Sequence, residues 1–222
     1  MTIDVKICGL SQPYHVALAA REGASHVGFI FFPRSPRDVG PEVAARCAAE
    51  RGKARAVAVT VDAEDARLDE IVAAMAPDML QLHGKETPER VAEVKARFGL
   101  PVIKAIAMRD EADLKKVQDH DGVADVLLLD AKPPAGADLP GGNGVAFDWS
   151  LVEDLATTTP VWLSGGIDAS NIARAAAIAR DPATCVIGLD LSSGAEGAPG
   201  AKEPSKIAAL LRAAGVSPEP QA

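Results

Sequence analysis

Residues 4–11 read DVKICGLS. Side chains alternate along a strand, so Val5 and Ile7 share one face while Lys6 and Cys8 share the other. The apolar pair suits a helix-covered outer surface, which turns Lys6 and Cys8 toward the inside of a closed sheet. A buried ammonium needs a partner. Asp190 has the required parity, with Gly188, on the last strand of the chain. That strand neighbours the first in a closed barrel, so Asp190 is the expected partner of Lys6.

Working outward from this stretch, short apolar runs alternate with Ala-rich helical stretches to about residue 212. Strands are expected at Val5–Cys8, Val27–Phe31, Ala56–Val61, Met79–Leu82, Val102–Ile106, Val126–Leu129, Val161–Ser164 and Val186–Leu189. PEVAARCAAERG, from Pro41 to Gly52, carries proline first and glycine last, as helices do. About eight βα units in 222 residues give an α/β chain of single-domain (β/α)8 (TIM) barrel type. An open doubly wound sheet is the alternative that periodicity leaves standing. The barrel is expected over residues 1–213, with a frayed tail, 214–222, rich in proline and poor in apolar residues.

A composition 48% hydrophobic supports one sizeable core, and a formal charge of −8 argues against nucleic-acid or anionic-membrane partners. No basic-then-apolar leader and no apolar run of spanning length occurs, so a cytoplasmic location is expected. Three widely spaced cysteines, Cys8, Cys47 and Cys185, make neither a disulfide framework nor a zinc site. Small-molecule chemistry by a monomer or homodimer is the expectation.

Barrel enzymes place their chemistry at the carboxyl ends of the strands. Cys8 ends the first strand and Asp130 follows the sixth, while Gln81 and His83 point inward on the fourth. A neighbouring Lys6 is expected to favour the Cys8 thiolate. Taken alone, Cys8 also reads as buried filler, as Cys47 and Cys185 do. The turns LSGGI (Ser164, Gly165, Gly166) and DLSSG (Ser192, Ser193, Gly194) follow the seventh and eighth strands. Glycine permits close approach to an anion, and these loops form the usual phosphate site of barrels. FFPRSPR supplies Arg34 and Arg37. By residue type alone, Arg37 reads as a solvated surface arginine. The loop DAKPPAGADLPGGNGVAFDWS is long and rich in proline and glycine, a composition that compact domains keep mainly for function.

VKICGL, VGFIFFPRSPR, LQLHG, LLLDAK, GGNGVAFDWSL, LSGGI and DLSSGAEGAPGAK occur in the order and spacing of phosphoribosylanthranilate isomerase, the tryptophan-pathway isomerase. The chain resembles that family over all but its C-terminal tail. The resemblance implies conversion of N-(5-phosphoribosyl)anthranilate into 1-(o-carboxyphenylamino)-1-deoxyribulose 5-phosphate, an Amadori rearrangement needing no cofactor. It implies Cys8 as general base and Asp130 as general acid, with Arg37 on the anthranilate carboxylate. Phosphate would lie around Gly165, Gly166, Ser192 and Ser193. Gln81, His83 and Asp190 complete the expected substrate-side set. Thr60 departs from the family pattern, and a polar group there is expected to alter the site lining. The histidine-pathway aminosugar isomerase uses paired aspartates, so Cys8 argues against it. A silent phosphosugar-binding protein is the remaining alternative, and fold alone does not exclude it.

Overall fold

The computed structural model describes residues 2–131, 147–152 and 155–218. Eight parallel strands close on themselves in sequence order. They are β1 (Asp4–Cys8), β2 (His26–Phe31), β3 (Arg55–Thr60), β4 (Met79–Leu82), β5 (Val102–Met108), β6 (Val126–Ala131), β7 (Val161–Leu163) and β8 (Val186–Leu191). Between and after them run α1 (Pro13–Arg21), α2 (Pro41–Ala48), α3 (Asp65–Met75), α4 (Pro88–Phe98), α5 (Leu114–His120), α6 (Ile172–Arg180) and α7 (Pro204–Ala213). A small antiparallel hairpin, β9 (Glu196–Ala198) with β10 (Ala201–Lys202), interrupts the pattern before α7. The open-sheet alternative is thereby excluded: β1 pairs with β8, and Lys6 stands opposite Asp190.

Strand parity divides the apolar residues as the opening stretch requires. Val5 and Ile7 join the layer between barrel and helices. Cys8 joins the barrel interior with Val57, Val59, Met79, Ile103, Ala105, Val126, Leu128 and Trp162. These are the packed layers that fill a barrel of this size. At the amino end of the strands, the rings of His26 and Trp162 meet edge to face at 4.7 Å between centroids. Gly188 makes this possible, since a Cβ there would stand 2.6 Å from the Trp162 ring.

Three expectations need correction. Helix α2 ends at Ala48 rather than running to Gly52, because Glu50 and Arg51 turn back to donate to the Cys47 and Ala48 carbonyls. Residues 214–217 are not frayed. Ala214 is buried, its carbonyl accepts from Arg180 Nη2, and Val216 packs against the core. Thr60 does not line the site. It shares parity with Ala56 and Ala58 of the helix-facing layer, and its buried Oγ1 has no partner among the described residues. Most of the proline- and glycine-rich loop after β6 (residues 132–146) lies outside the described residues.

Candidate active site

Cys8 ends β1 at 4% exposure, above a fully buried Lys6 whose Nζ lies 2.9 Å from Asp190 Oδ1. Room for both side chains comes from Gly28 on the adjacent strand. A Cβ there would fall 2.9 Å from Lys6 Cε and 3.1 Å from Cys8 Sγ. Burial pushes the Lys6 ammonium down, but the Asp190 carboxylate and the Cys8 sulfur outweigh it and its pKa is raised. Lys6 does pull toward the thiolate as expected, but that pull does not prevail and the Cys8 pKa is raised. Burial pushes the Cys8 thiol up, and the pull of Lys6 and Lys202 is opposed by Asp190. Because Asp190 is held by Lys6, its place is beneath the thiol as the lysine's counter-charge.

Asp130, at the end of β6, is 3% exposed, and its Oδ2 lies 3.1 Å from His83 Nε2. His83 Nδ1 in turn lies 2.8 Å from Gln81 Nε2. Parity puts Gln81 and His83 inside the barrel as expected. Gln81 is fully buried and contacts His83.

The loop after β7 closes on Asp130. Gly165 has φ +81°, and a Cβ there would lie 3.0 Å from Asp130 Oδ1 and 2.5 Å from the Ala131 amide. Only glycine fits both the conformation and the space. Gly166 also has positive φ, +62°. Among the described residues, neither the Gly165 nor the Gly166 N–H donates to a backbone carbonyl. Gly194 packs against the Ile167 carbonyl, which brings the loop after β8 beside the loop after β7. Ser192 ties that loop to β1, its Oγ 3.4 Å from the Cys8 carbonyl. Ser193 begins the single 3-10 turn that follows.

The solvated reading of Arg37 is wrong. Arg37 is 6% exposed, and Glu196 clamps it through Nε–Oε1 at 2.7 Å and Nη2–Oε2 at 2.8 Å. Lys202 Nζ joins the same carboxylate at 2.7 Å and the Ser192 carbonyl at 2.9 Å. Gly9, at φ +78°, backs the arginine, since a Cβ there would meet Arg37 Cδ at 2.8 Å. The guanidinium pKa is raised by the Glu196 hydrogen bond, and the Glu196 carboxyl is lowered because Arg37 and Lys202 outweigh its burial. Burial pushes the Lys202 ammonium down against the pull of Glu196. Arg34, by contrast, is exposed.

Sequence reasoning missed Glu196, Lys202 and Gly28. The first two lie within the quoted DLSSGAEGAPGAK stretch, but on a hairpin outside the strand period. A glycine in the middle of the apolar run HVGFIF was the available signal for Gly28. A further buried pair, Lys104 Nζ to Glu86 Oε2 at 2.7 Å, also escaped notice. Glu86 accepts from the Asp62 and Gly84 amides and so fixes the backbone that follows His83. Among the described residues, no cluster of His, Cys, Asp or Glu suits a metal ion, and no helix is long and apolar enough to cross a membrane.

Fold and site together define a (β/α)8-barrel enzyme with buried titratable side chains at the strand ends. Residues 5–213 match the family described as N-(5'phosphoribosyl)anthranilate (PRA) isomerase, and the chain belongs to that family. The N-(5'-phosphoribosyl)anthranilate isomerase of Mesorhizobium japonicum is 56% identical over 214 residues, covering 96% of this chain and 95% of the relative. That of Agrobacterium fabrum is 55% identical over 212 residues, covering 95% and 94%. Among solved structures, phosphoribosyl anthranilate isomerase from Thermotoga maritima superposes with a TM-score of 0.83 at 30% identity, covering 96% of this chain and 99% of that one. A structure of the isomerase with reduced 1-(o-carboxyphenylamino)-1-deoxyribulose 5-phosphate gives 0.80 at 28% identity, with the same coverage.

Proposed function

We infer that this chain carries out the Amadori rearrangement of N-(5-phosphoribosyl)anthranilate in tryptophan biosynthesis, with Asp130 as general acid and Cys8 as general base. The observation that carries the residue assignment is the position of the two groups. A buried thiol and a buried carboxylate end strands of one barrel at the same mouth, each braced by its own polar partner. Protonated Asp130 delivers a proton to the furanose ring oxygen, and the C1–O bond breaks to leave a cationic Schiff base. That cation acidifies the C2 proton and, beside Lys6, favours the thiolate that removes it. The resulting enolamine takes a proton at C1 and loses one from its 2-hydroxyl to become the ketone. Protons given and taken balance, so no cofactor enters the scheme.

The Arg37 guanidinium, held by Glu196 and Lys202, is our candidate for the anthranilate carboxylate. A planar fork reads a carboxylate in a way a lysine cannot. Gly165, Gly166, Ser192 and Ser193 are the candidates for the phosphate, supported by the two positive-φ glycines and the packed loops of β7 and β8. A phosphorylated substrate favours a cytoplasmic location, and the protein would work as a monomer or homodimer. The test follows the loss of fluorescence of phosphoribosylanthranilate generated in situ, with wild type, Cys8→Ser and Asp130→Asn side by side. Wild type should consume the substrate, and each variant should lose about 10²–10⁴-fold in kcat. Full activity in either variant removes that residue from its role, and an inactive wild type removes the substrate assignment.

A further inference from the structure

We propose that Gln81 and His83 act as a two-position relay that decides whether Asp130 carries a proton. The inference rests on Asp130 as the general acid and adds how that acid is loaded. Gln81 Nε2, His83 Nδ1, His83 Nε2 and Asp130 Oδ2 form one line, with contacts of 2.8 and 3.1 Å. In the orientation seen, the Gln81 amide donates to Nδ1. A neutral imidazole then keeps its proton on Nε2 and donates it to Asp130 Oδ2, a bond that favours the carboxylate. That form suits a spent acid.

The other end of the amide gives the second position. Gln81 is fully buried, yet its Oε1 has no partner among the described residues. No hydrogen bond at that end among the described residues therefore holds the carboxamide in one orientation, and the group is free to use its two ends in turn. A half-turn of the carboxamide presents Oε1 to Nδ1, which then carries the imidazole proton. The lone pair of Nε2 now faces Asp130 and accepts from its protonated carboxyl. The spent form holds one proton across the imidazole and carboxyl, and the loaded form holds two. The additional proton enters from solvent, since the His83 side chain keeps 14% exposure. Asp130 passes its proton to the ring oxygen, and the enolamine 2-hydroxyl returns one as the ketone forms. Gln81 and His83 are thus positioning residues for the acid.

The deciding experiment is NMR of protein labelled with ¹⁵N-histidine, recorded free and with reduced 1-(o-carboxyphenylamino)-1-deoxyribulose 5-phosphate, with His83→Asn identifying the resonances. The free protein should show protonated Nε2, and the complex should show protonated Nδ1. Protonation at Nε2 in both states overturns the relay. Turnover gives a second reading. Gln81→Met, which offers Nδ1 neither end, should lose about tenfold or more in kcat, with KM changed less than kcat. Gln81→Glu keeps an acceptor for Nδ1–H and should recover most of that loss. Equal losses in the two variants would reduce Gln81 to a packing role. Wild-type turnover of phosphoribosylanthranilate tests the functional assignment separately, and the imidazole spectra do not depend on it.

Discussion

The two ends of this barrel solve the problem of buried polarity in opposite ways. At the carboxyl end, charge is kept and paired: Lys6 with Asp190, and Arg37 and Lys202 with Glu196. At the amino end, His26 sits at 4% exposure against Trp162, and burial, with the charges of Arg55 and Lys6, lowers its pKa to about 3. One end holds ions ready for a charged reaction, and at the other burial keeps the His26 imidazole neutral although nearby charges, Lys6 among them, reach it. A buried ion pair adds little stability over an apolar replacement, so the mouth reads as paying in stability for chemistry while the floor supplies the packing.

The sharpest way to break this contrast is to remove one half of a pair at the mouth. Asp190→Asn leaves the Lys6 ammonium without a counter-charge at zero exposure, and denaturant unfolding should show a loss of about 3–5 kcal/mol. The double variant Lys6→Met/Asp190→Leu should recover most of that stability while its turnover stays low, because the cation beneath Cys8 is gone. A double variant that is both stable and active would mean that the pair serves packing alone.

The floor makes a prediction of similar size along a pH axis. His26 is depressed from 6.5 to about 3 in the folded chain, so between those values the unfolded state binds the extra proton and folding weakens as pH falls. Stability should be unaffected by this group above pH 6.5 and decline by up to about 4 kcal/mol toward pH 3. His26→Gln should flatten that part of the curve in denaturant titrations at stepped pH. An identical slope in the variant would assign the acid limb to other groups.

Arg37→Ala compares the two ends by function. Its loss should raise KM by about 10–100-fold, the worth of hydrogen bonds to a charged group, with kcat changed less. Steady-state kinetics read this directly, and an unchanged KM would leave Arg37 as a brace for Glu196.

Legibility in the sequence follows the same division. Strand period was enough to read the eight strands but not their closure, and parity, given a closed barrel, paired Lys6 with Asp190, because both rules are local and repeat along the chain. The positions of Cys8, His83 and Asp130 at strand ends were legible because strands deliver them there. Arg37 was misjudged because its burial depends on Glu196, 159 residues away, on a hairpin that obeys no strand alternation. The Cys8 thiol was misjudged because its state is a balance of burial, one cation beneath it and that cation's own partner, and no single neighbour decides such a sum.

Thr60 gives the smallest and most specific prediction. Its polarity suggested a modified site lining, yet parity puts it on the helix-facing side with Ala56 and Ala58, fully buried and with Oγ1 unpartnered among the described residues. A buried hydroxyl without a partner carries a desolvation cost that a methyl does not. Thr60→Val should therefore raise unfolding stability by about 1 kcal/mol and leave kcat and KM unchanged. If KM shifted without a change in stability, the side chain would be sensing the mouth after all, and the separation of barrel interior from helix layer at β3 would have to be redrawn.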